Sequence, residues 1–116
     1  MTTFLCYDKC STCQKAQKWL EERGAAYTAR PIKEQNPTAA ELEGWLVQSG
    51  LPVKRFVNTS GLLYKSMGLK DKLPAMTEEE QLNLLASDGM LVKRPVLITD
   101  KGVCPGFKPE EWEKLL

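Results

Sequence analysis

The stretch CYDKCSTCQKAQKWL, Cys6 to Leu20, places three cysteines where the periodicity of the chain changes. Thr2 to Tyr7 is rich in β-branched and aromatic residues and reads as a short strand. From Ser11 to Arg23 the pattern is helical: Ala16, Trp19 and Leu20 share one face, while Gln14, Lys15, Lys18, Glu21 and Glu22 lie elsewhere. Gly24 is a natural stop for such a helix. The cysteines therefore straddle a strand-to-helix junction. Either they grip a metal or a cluster, or one is a nucleophile that a neighbour resolves.

Outward from this stretch, Ala26 to Ile32 reads as a second strand broken by Pro31, which removes a ladder donor and places the strand near a sheet edge. Thr38 to Glu41 is a capping box followed by the stripe Leu42, Trp45 and Leu46, ending at Gly50-Leu51-Pro52. Asn58 to Gly61 starts another helix carrying Leu63 and Met67. Thr77 to Glu80 is a second capping box ahead of Leu82 and Leu85, and Asp88-Gly89 closes the region. Val96 to Thr99 is a compact apolar strand, Asp100 to Gly102 a turn signal, and Val103-Cys104 the start of a return strand. Lys108-Pro109 opens a last helix with Trp112, Leu115 and Leu116 as its buried face.

This order joins a βαβ unit to a ββα unit. It predicts an α/β fold of thioredoxin-like architecture: a four-stranded mixed sheet with flanking helices and a helical insert between the second and third strands. Residues 1–116 form one domain, with 1–36 and 89–116 as its core and 37–88 as an insert subdomain at one end.

Composition agrees with one core, at 116 residues and 42% hydrophobic. The 16 basic and 15 acidic side chains nearly cancel and no basic block stands out, so nothing electrostatic argues for direct nucleic-acid binding. No apolar run approaches the roughly 20 residues of a membrane span. Met-Thr-Thr-Phe-Leu lacks the charged start and apolar run of a signal peptide. The expectation is a cytoplasmic protein, where thiols stay reduced and four cysteines need not form a structural framework. With no histidine, the chain cannot supply Cys-His catalysis, a Ser-His-Asp triad or a histidine metal ligand.

Cys6, Cys10 and Cys13 fit C-x3-C-x2-C, a spacing used for iron–sulfur clusters in radical enzymes. Those enzymes need a large barrel, and Cys6 falls inside a strand, so the sulfurs are not expected to converge. A zinc site needs about four ligands, and Cys104 would have to supply the last. No metal site is therefore expected. The redox reading uses fewer parts. Cys10 and Cys13 form a C-x-x-C at a helix start, where unpaired amides and the helix dipole favour a thiolate. The first thiol of such a pair has a pKa of about 7 or below, against about 8.5 for a free cysteine. Cys13, one turn on, can attack a mixed disulfide on Cys10. Cys6 reads as a small core residue. Cys104, beside Pro105-Gly106, is open between an exposed third redox thiol and a structural one.

The second element is KRPVLI, Lys93 to Ile98. In thioredoxin-like folds a cis-proline begins the third strand and faces the reactive cysteine, and Pro95 occupies that place. Arg94 then stands beside the thiolate, stabilising it and offering a fork to an oxyanion.

With YDKCSTCQKA, LVKRPVLI, Gly106-Phe107 and the insert NTSGLLYKSMGLKDKL in place, the chain resembles the arsenate reductase (ArsC)/Spx family of thioredoxin-fold proteins over essentially its full length. The resemblance implies that Cys10 is the nucleophile, Arg94 the anion-binding arginine beside Pro95, and Thr12 the threonine of the active-site loop. Arg55 falls where glutathione-linked arsenate reductases carry another substrate arginine. Two departures matter. Those reductases place an arginine near the last strand, where this chain has VCPGFKP, and they commonly lack a second loop cysteine, here Cys13. Spx, a regulator that binds RNA polymerase, senses oxidation through such a pair. The expectation is a thiol–disulfide redox protein with Cys10, Cys13 and Arg94 as catalytic residues and Thr12, Arg55, Arg94 and Pro95 contacting substrate. It has no bound cofactor, and glutathione, glutaredoxin or thioredoxin is the electron donor. The alternative is an Spx-like redox-sensing regulator of transcription whose partner is RNA polymerase.

Overall fold

In a strand successive side chains point to opposite faces, so a strand apolar at consecutive positions must be covered on both sides. β1 (Thr3–Cys6) does this with Phe4 and Leu5, both fully buried. The computed structural model, which describes residues 1–116, places β1 inside a four-stranded sheet of order β2-β1-β3-β4. β2 (Thr28–Pro31) runs parallel to β1 at one edge, and β3 (Val96–Thr99) runs antiparallel to it on the other side. β4 (Gly102–Pro105) pairs antiparallel with β3 and forms the second edge. The proline that ends β2 sits on an edge strand, where its missing N–H costs no ladder bond.

The register lines up Phe4, Leu97 and Cys104 across three strands on one face. Helix α1 (Ser11–Glu22) covers that face with Cys13, Ala16 and Leu20, and α6 (Pro109–Leu115) adds Trp112. Edge-to-face contacts link Trp112 to Phe4, Trp19 and Phe107, with ring centroids 5.1–6.1 Å apart. The Trp112 indole also donates to the Gly106 carbonyl at 3.0 Å. On the other face Leu5, Val96 and Val103 belong to a larger cluster with the helices that follow β2.

Those helices are α2 (Ala39–Ser49), α3 (Leu62–Ser66), α4 (Leu69–Lys72) and α5 (Glu78–Ser87). Both capping boxes form: Thr38 accepts from the Glu41 amide and Thr77 from the Glu80 amide, each at 3.1 Å, with the glutamates reaching back. α2 ends on Gly50 in the left-handed region, φ 68°, as its position predicts. The helix expected from Asn58 is shorter than its sequence signal. Asn58 to Gly61 is a tight turn, the helix starts at Leu62, and Gly68 at φ 64° separates it from α4. Residues 37–88 pack among themselves, α2 against α5 and α3 against α4. They cover a sheet face and share a 16-residue cluster with it. Leu116, expected on the buried face of the last helix, is 38% exposed, because it lies past the last helical residue, Leu115, as the C-cap.

Two ties position the segment before β3. The Lys93 amide donates to the Phe56 carbonyl at 2.7 Å, flanking the isolated antiparallel bridge of Val57 with Val92. Asn58 adds its amide to the Leu91 carbonyl at 2.8 Å. A third tie holds β2 to α2. Arg30 grips Glu41 with two bonds of 2.7 and 2.9 Å, and Glu41 also caps its own helix. That guanidinium, the largest influence, and the Thr38 amide outweigh burial and hold the Glu41 carboxyl at about 2.

The two glycines with the clearest packing predict opposite effects. A Cβ at Gly44, on the exposed side of α2, meets nothing, so Gly44→Ala should stabilise by about 0.5–1 kcal/mol. A Cβ at Gly89 would collide with the Ile32 carbonyl, so Gly89→Ala should destabilise by roughly 1–3 kcal/mol, both read by chemical denaturation. Glu41→Gln tests the third tie. A lowered folded-state pKa stabilises above the unfolded value and is lost as pH falls through the folded one. The variant should therefore be less stable at pH 7, by no more than about 1 kcal/mol given solvent screening. Its deficit should close as pH drops from about 4 toward about 2.

Candidate functional site

The chain leaves β1 at Cys6 and enters α1 at Ser11, and a tight turn fills the gap. The Cys10 amide donates to the Tyr7 carbonyl at 3.0 Å, and the Gln14 side chain clamps the turn by donating to the Asp8 carbonyl at 2.9 Å. Cys10 is the N-cap of α1, with φ −91° and ψ 119°, and its carbonyl accepts the first helical bond from Gln14 at 3.0 Å. No acidic residue occupies the first turn of α1, so no carboxylate competes for its N-terminal amides. Ser11 and Thr12 face solvent in that turn, and Cys13 points inward and is 3% exposed.

The two thiols stand in opposite electrostatic positions. Burial alone would raise Cys10, but the amide and thiol of Cys13 and the Arg94 guanidinium outweigh it, and the thiol lies below its ordinary value. Burial pushes Cys13 up to about 12; its bond from the Tyr7 amide opposes this, and the neighbouring Cys10 and Cys6 add to it. At neutral pH Cys10 is the one poised to ionise, with Cys13 as its protonated hydrogen-bond donor.

Arg94 comes from the start of β3, and its peptide bond to Pro95 is cis. The guanidinium carbon lies 5.0 Å from the centroid of the Tyr7 ring. Its Nε and Nη1 are buried with no hydrogen-bond partner, and no carboxylate pairs with it. Buried donors are almost always satisfied, so two free ones beside a low-pKa sulfur form a place for an anion.

The structure brings Cys10, Cys13, Arg94 and Pro95 to one end of the sheet, with Thr12 at the exposed start of α1. Arg55 is not among them. It lies exposed in a 3-10 turn, Val53–Phe56, and lines a cleft of about 360 Å³ with Lys54, Lys93 and Lys108 that includes neither Cys10 nor Arg94. Cys104 is not exposed. It is 7% exposed on the α1 face of the sheet, its thiol points to the Pro105 and Gly106 carbonyls at 3.8 Å, and burial raises its pKa. Cys6 is half-buried with its thiol toward the Arg30 carbonyl at 3.9 Å, also raised by burial. No group of three or more Cys, Asp or Glu side chains gathers as metal ligands. Tyr7 meets Cys10, Cys13 and Arg94, and the sequence placed it only as the end of a strand. No helix is long and apolar enough to cross a membrane.

A thioredoxin-like sheet with a C-x-x-C at the head of its first helix and an arginine facing it defines the class. Within that class the chain belongs to the ArsC family, whose model matches residues 5–115. It is 60% identical to an ArsC family related protein from Bacteroides fragilis, whose crystal structure superposes with a TM-score of 0.96 over 99% of this chain and 97% of that one. It is 44% identical to a protein from Streptococcus mutans UA159 described as a possible arsenate reductase, with a TM-score of 0.89 over 97% and 98% of the two chains. The uncharacterized protein YusI of Bacillus subtilis (strain 168) is 50% identical over 97% of this chain and 95% of its own. The global transcriptional regulator Spx of Staphylococcus epidermidis is 25% identical over 100% of this chain and 87% of its own.

Alkylation with iodoacetamide across pH, read by mass spectrometry of each cysteine peptide, tests the site. Cys10 should react with a midpoint below the roughly 8.5 of a free cysteine. Removing the cation in Arg94→Gln should raise that midpoint by about one pH unit, while Cys13 stays unreactive until far more alkaline pH.

Proposed function

We propose that this protein carries out thiol–disulfide redox chemistry, with Cys10 as nucleophile, Cys13 as resolving thiol and Arg94 as the anion-holding group. The observation that carries the reading is the pairing of a lowered Cys10 with a guanidinium whose buried Nε and Nη1 have no hydrogen-bond partner. The Cys10 thiolate attacks a disulfide sulfur, forms a mixed disulfide and expels the other half as a thiolate. Arg94 lies where it can stabilise negative charge beside Cys10. Once Cys10 is bonded it no longer repels charge on Cys13, which removes two of the influences that keep Cys13 protonated. Cys13 then loses its proton, attacks Cys10 Sγ and releases the second half as a thiolate. The protein is oxidised by two electrons and the substrate disulfide is reduced by two. Glutathione, glutaredoxin or thioredoxin returns the pair to dithiol in the cytoplasm, and the cycle needs no resident cofactor or metal.

Arsenate chemistry is the narrower version of this reading. Arg94 would hold the oxyanion and Cys10 would form the arsenic–sulfur bond, with Thr12 at the loop and Pro95 lining the pocket. The stretch VCPGFKP carries no arginine and Arg55 faces another cleft, so disulfide chemistry is the better supported version. A second reading rests on the full-length relationship to Spx. In it the same pair is a sensor, and oxidation of Cys10 and Cys13 alters the head of α1 and a face that meets RNA polymerase.

A coupled assay of NADPH oxidation, with glutaredoxin or thioredoxin as donor, separates these. Turnover of a small disulfide should disappear in Cys10→Ser, and Cys13→Ser should accumulate a mixed disulfide on Cys10. Turnover with arsenate alone would favour the narrower version. Turnover indifferent to Cys10→Ser would overturn the enzyme reading. Capture of RNA polymerase by only the oxidised or only the reduced protein, without turnover, would establish the regulator, and no capture in either state would remove it.

A further inference from the structure

We propose that Tyr7 is the positioning residue of this site: its ring orients Arg94 toward Cys10, and its backbone aims Cys13. The inference rests on the reading of Cys10 as the nucleophile and adds the group that sets its surroundings.

The placement follows from the sheet. β1 and β3 are antiparallel with Leu5 opposite Val96, so extending that register by two residues sets Tyr7 opposite Arg94. The guanidinium carbon meets the Tyr7 ring at 5.0 Å from its centroid, within the range of a cation–π contact. The ion pairs of the structure leave Arg94 out, and its Nε and Nη1 have no acceptor. An arginine without such bonds needs another surface to fix its plane, and the ring is that surface. A carboxylate in the same place would also hold the side chain, but it would neutralise the charge and occupy the N–H groups. The ring leaves both available.

The Tyr7 backbone acts on the cysteines. Its carbonyl accepts from the Cys10 amide at 3.0 Å, which closes the turn. Its amide donates to Cys13 Sγ at 3.4 Å. That bond occupies a lone pair of the Cys13 sulfur and leaves the S–H for Cys10. The charged and titratable groups around Cys10 are Arg94, Cys13 and Cys6, with the exposed Asp8 and Lys9 in the same turn. Lys9 is exposed to solvent, and Arg94 is the cation that acts on the Cys10 thiol, so its orientation governs the balance.

Substitution of the side chain leaves the backbone bonds in place, which makes the ring separable. Tyr7→Phe keeps the π face and loses only the hydroxyl. Tyr7→Leu keeps apolar bulk and loses the face, and Tyr7→Met serves the same comparison should Tyr7→Leu not fold. The measurement is the rate of iodoacetamide reaction at Cys10 across pH, with thermal melting of each variant alongside. We expect Tyr7→Phe to match the wild type. Tyr7→Leu should shift the Cys10 midpoint upward and lower its reactivity at neutral pH by roughly three-fold, the scale of one cation–π contact. In the Arg94→Gln background the same replacement should have no further effect, because the two act as one unit.

A wild-type Cys10 below the free-cysteine value, with Tyr7→Leu unchanged, overturns the role of Tyr7 and leaves the proposed function standing. Equal losses in Tyr7→Phe and Tyr7→Leu, or full additivity with Arg94→Gln, also overturn it. A wild-type Cys10 that titrates like a free cysteine overturns the proposed function and this inference together.

Discussion

The site depends on an antiparallel register. β1 ends where β3 begins, so the chain leaving β1 and the chain entering β3 meet at one end of the sheet. The first of these turns at once into α1 and presents Cys10 as its cap; the second brings Arg94 and Pro95. A one-residue slip between the strands would exchange the faces of Phe4 and Leu5 and move Arg94 off the Tyr7 ring. The same pairing that buries the core therefore aligns the thiol and the guanidinium.

The two cysteines show how little sequence distance separates opposite chemistry. Both are partly or wholly removed from water, and burial raises both. Cys10 has a cation and two donors turned toward it. Cys13 has one donor, and its neighbours are other sulfurs. One thiol is lowered and the other raised, and that difference arises from orientation at the first turn of a single helix.

Much of the fold was legible because its signals are local. Both capping boxes, the Gly50 stop, the edge placement implied by Pro31, and β3 between Val96 and Thr99 rest on the preferences of a few adjacent residues. What sequence missed depends on contact at a distance. The stretch after Asn58 carries a helical pattern, yet a tight turn and Gly68 divide it. Leu116 fits the apolar stripe of its helix, but it is the C-cap and lies exposed past the last turn. Cys104 next to Pro-Gly is open between an exposed and a structural sulfur, and only the alternation along β4 turns it beneath α1.

The amino-acid sequence alone determined the chemical inventory: a C-x-x-C at a strand-to-helix junction, an arginine before a proline at a strand start, no histidine to share the work. Those follow from residue type and spacing, which operate within one or two turns of chain. Tertiary structure decided which of these parts meet. It took Arg55 into a separate cleft, placed Tyr7 under Arg94, and left the guanidinium Nε and Nη1 without partners, because each of these depends on how strands far apart in the chain are paired.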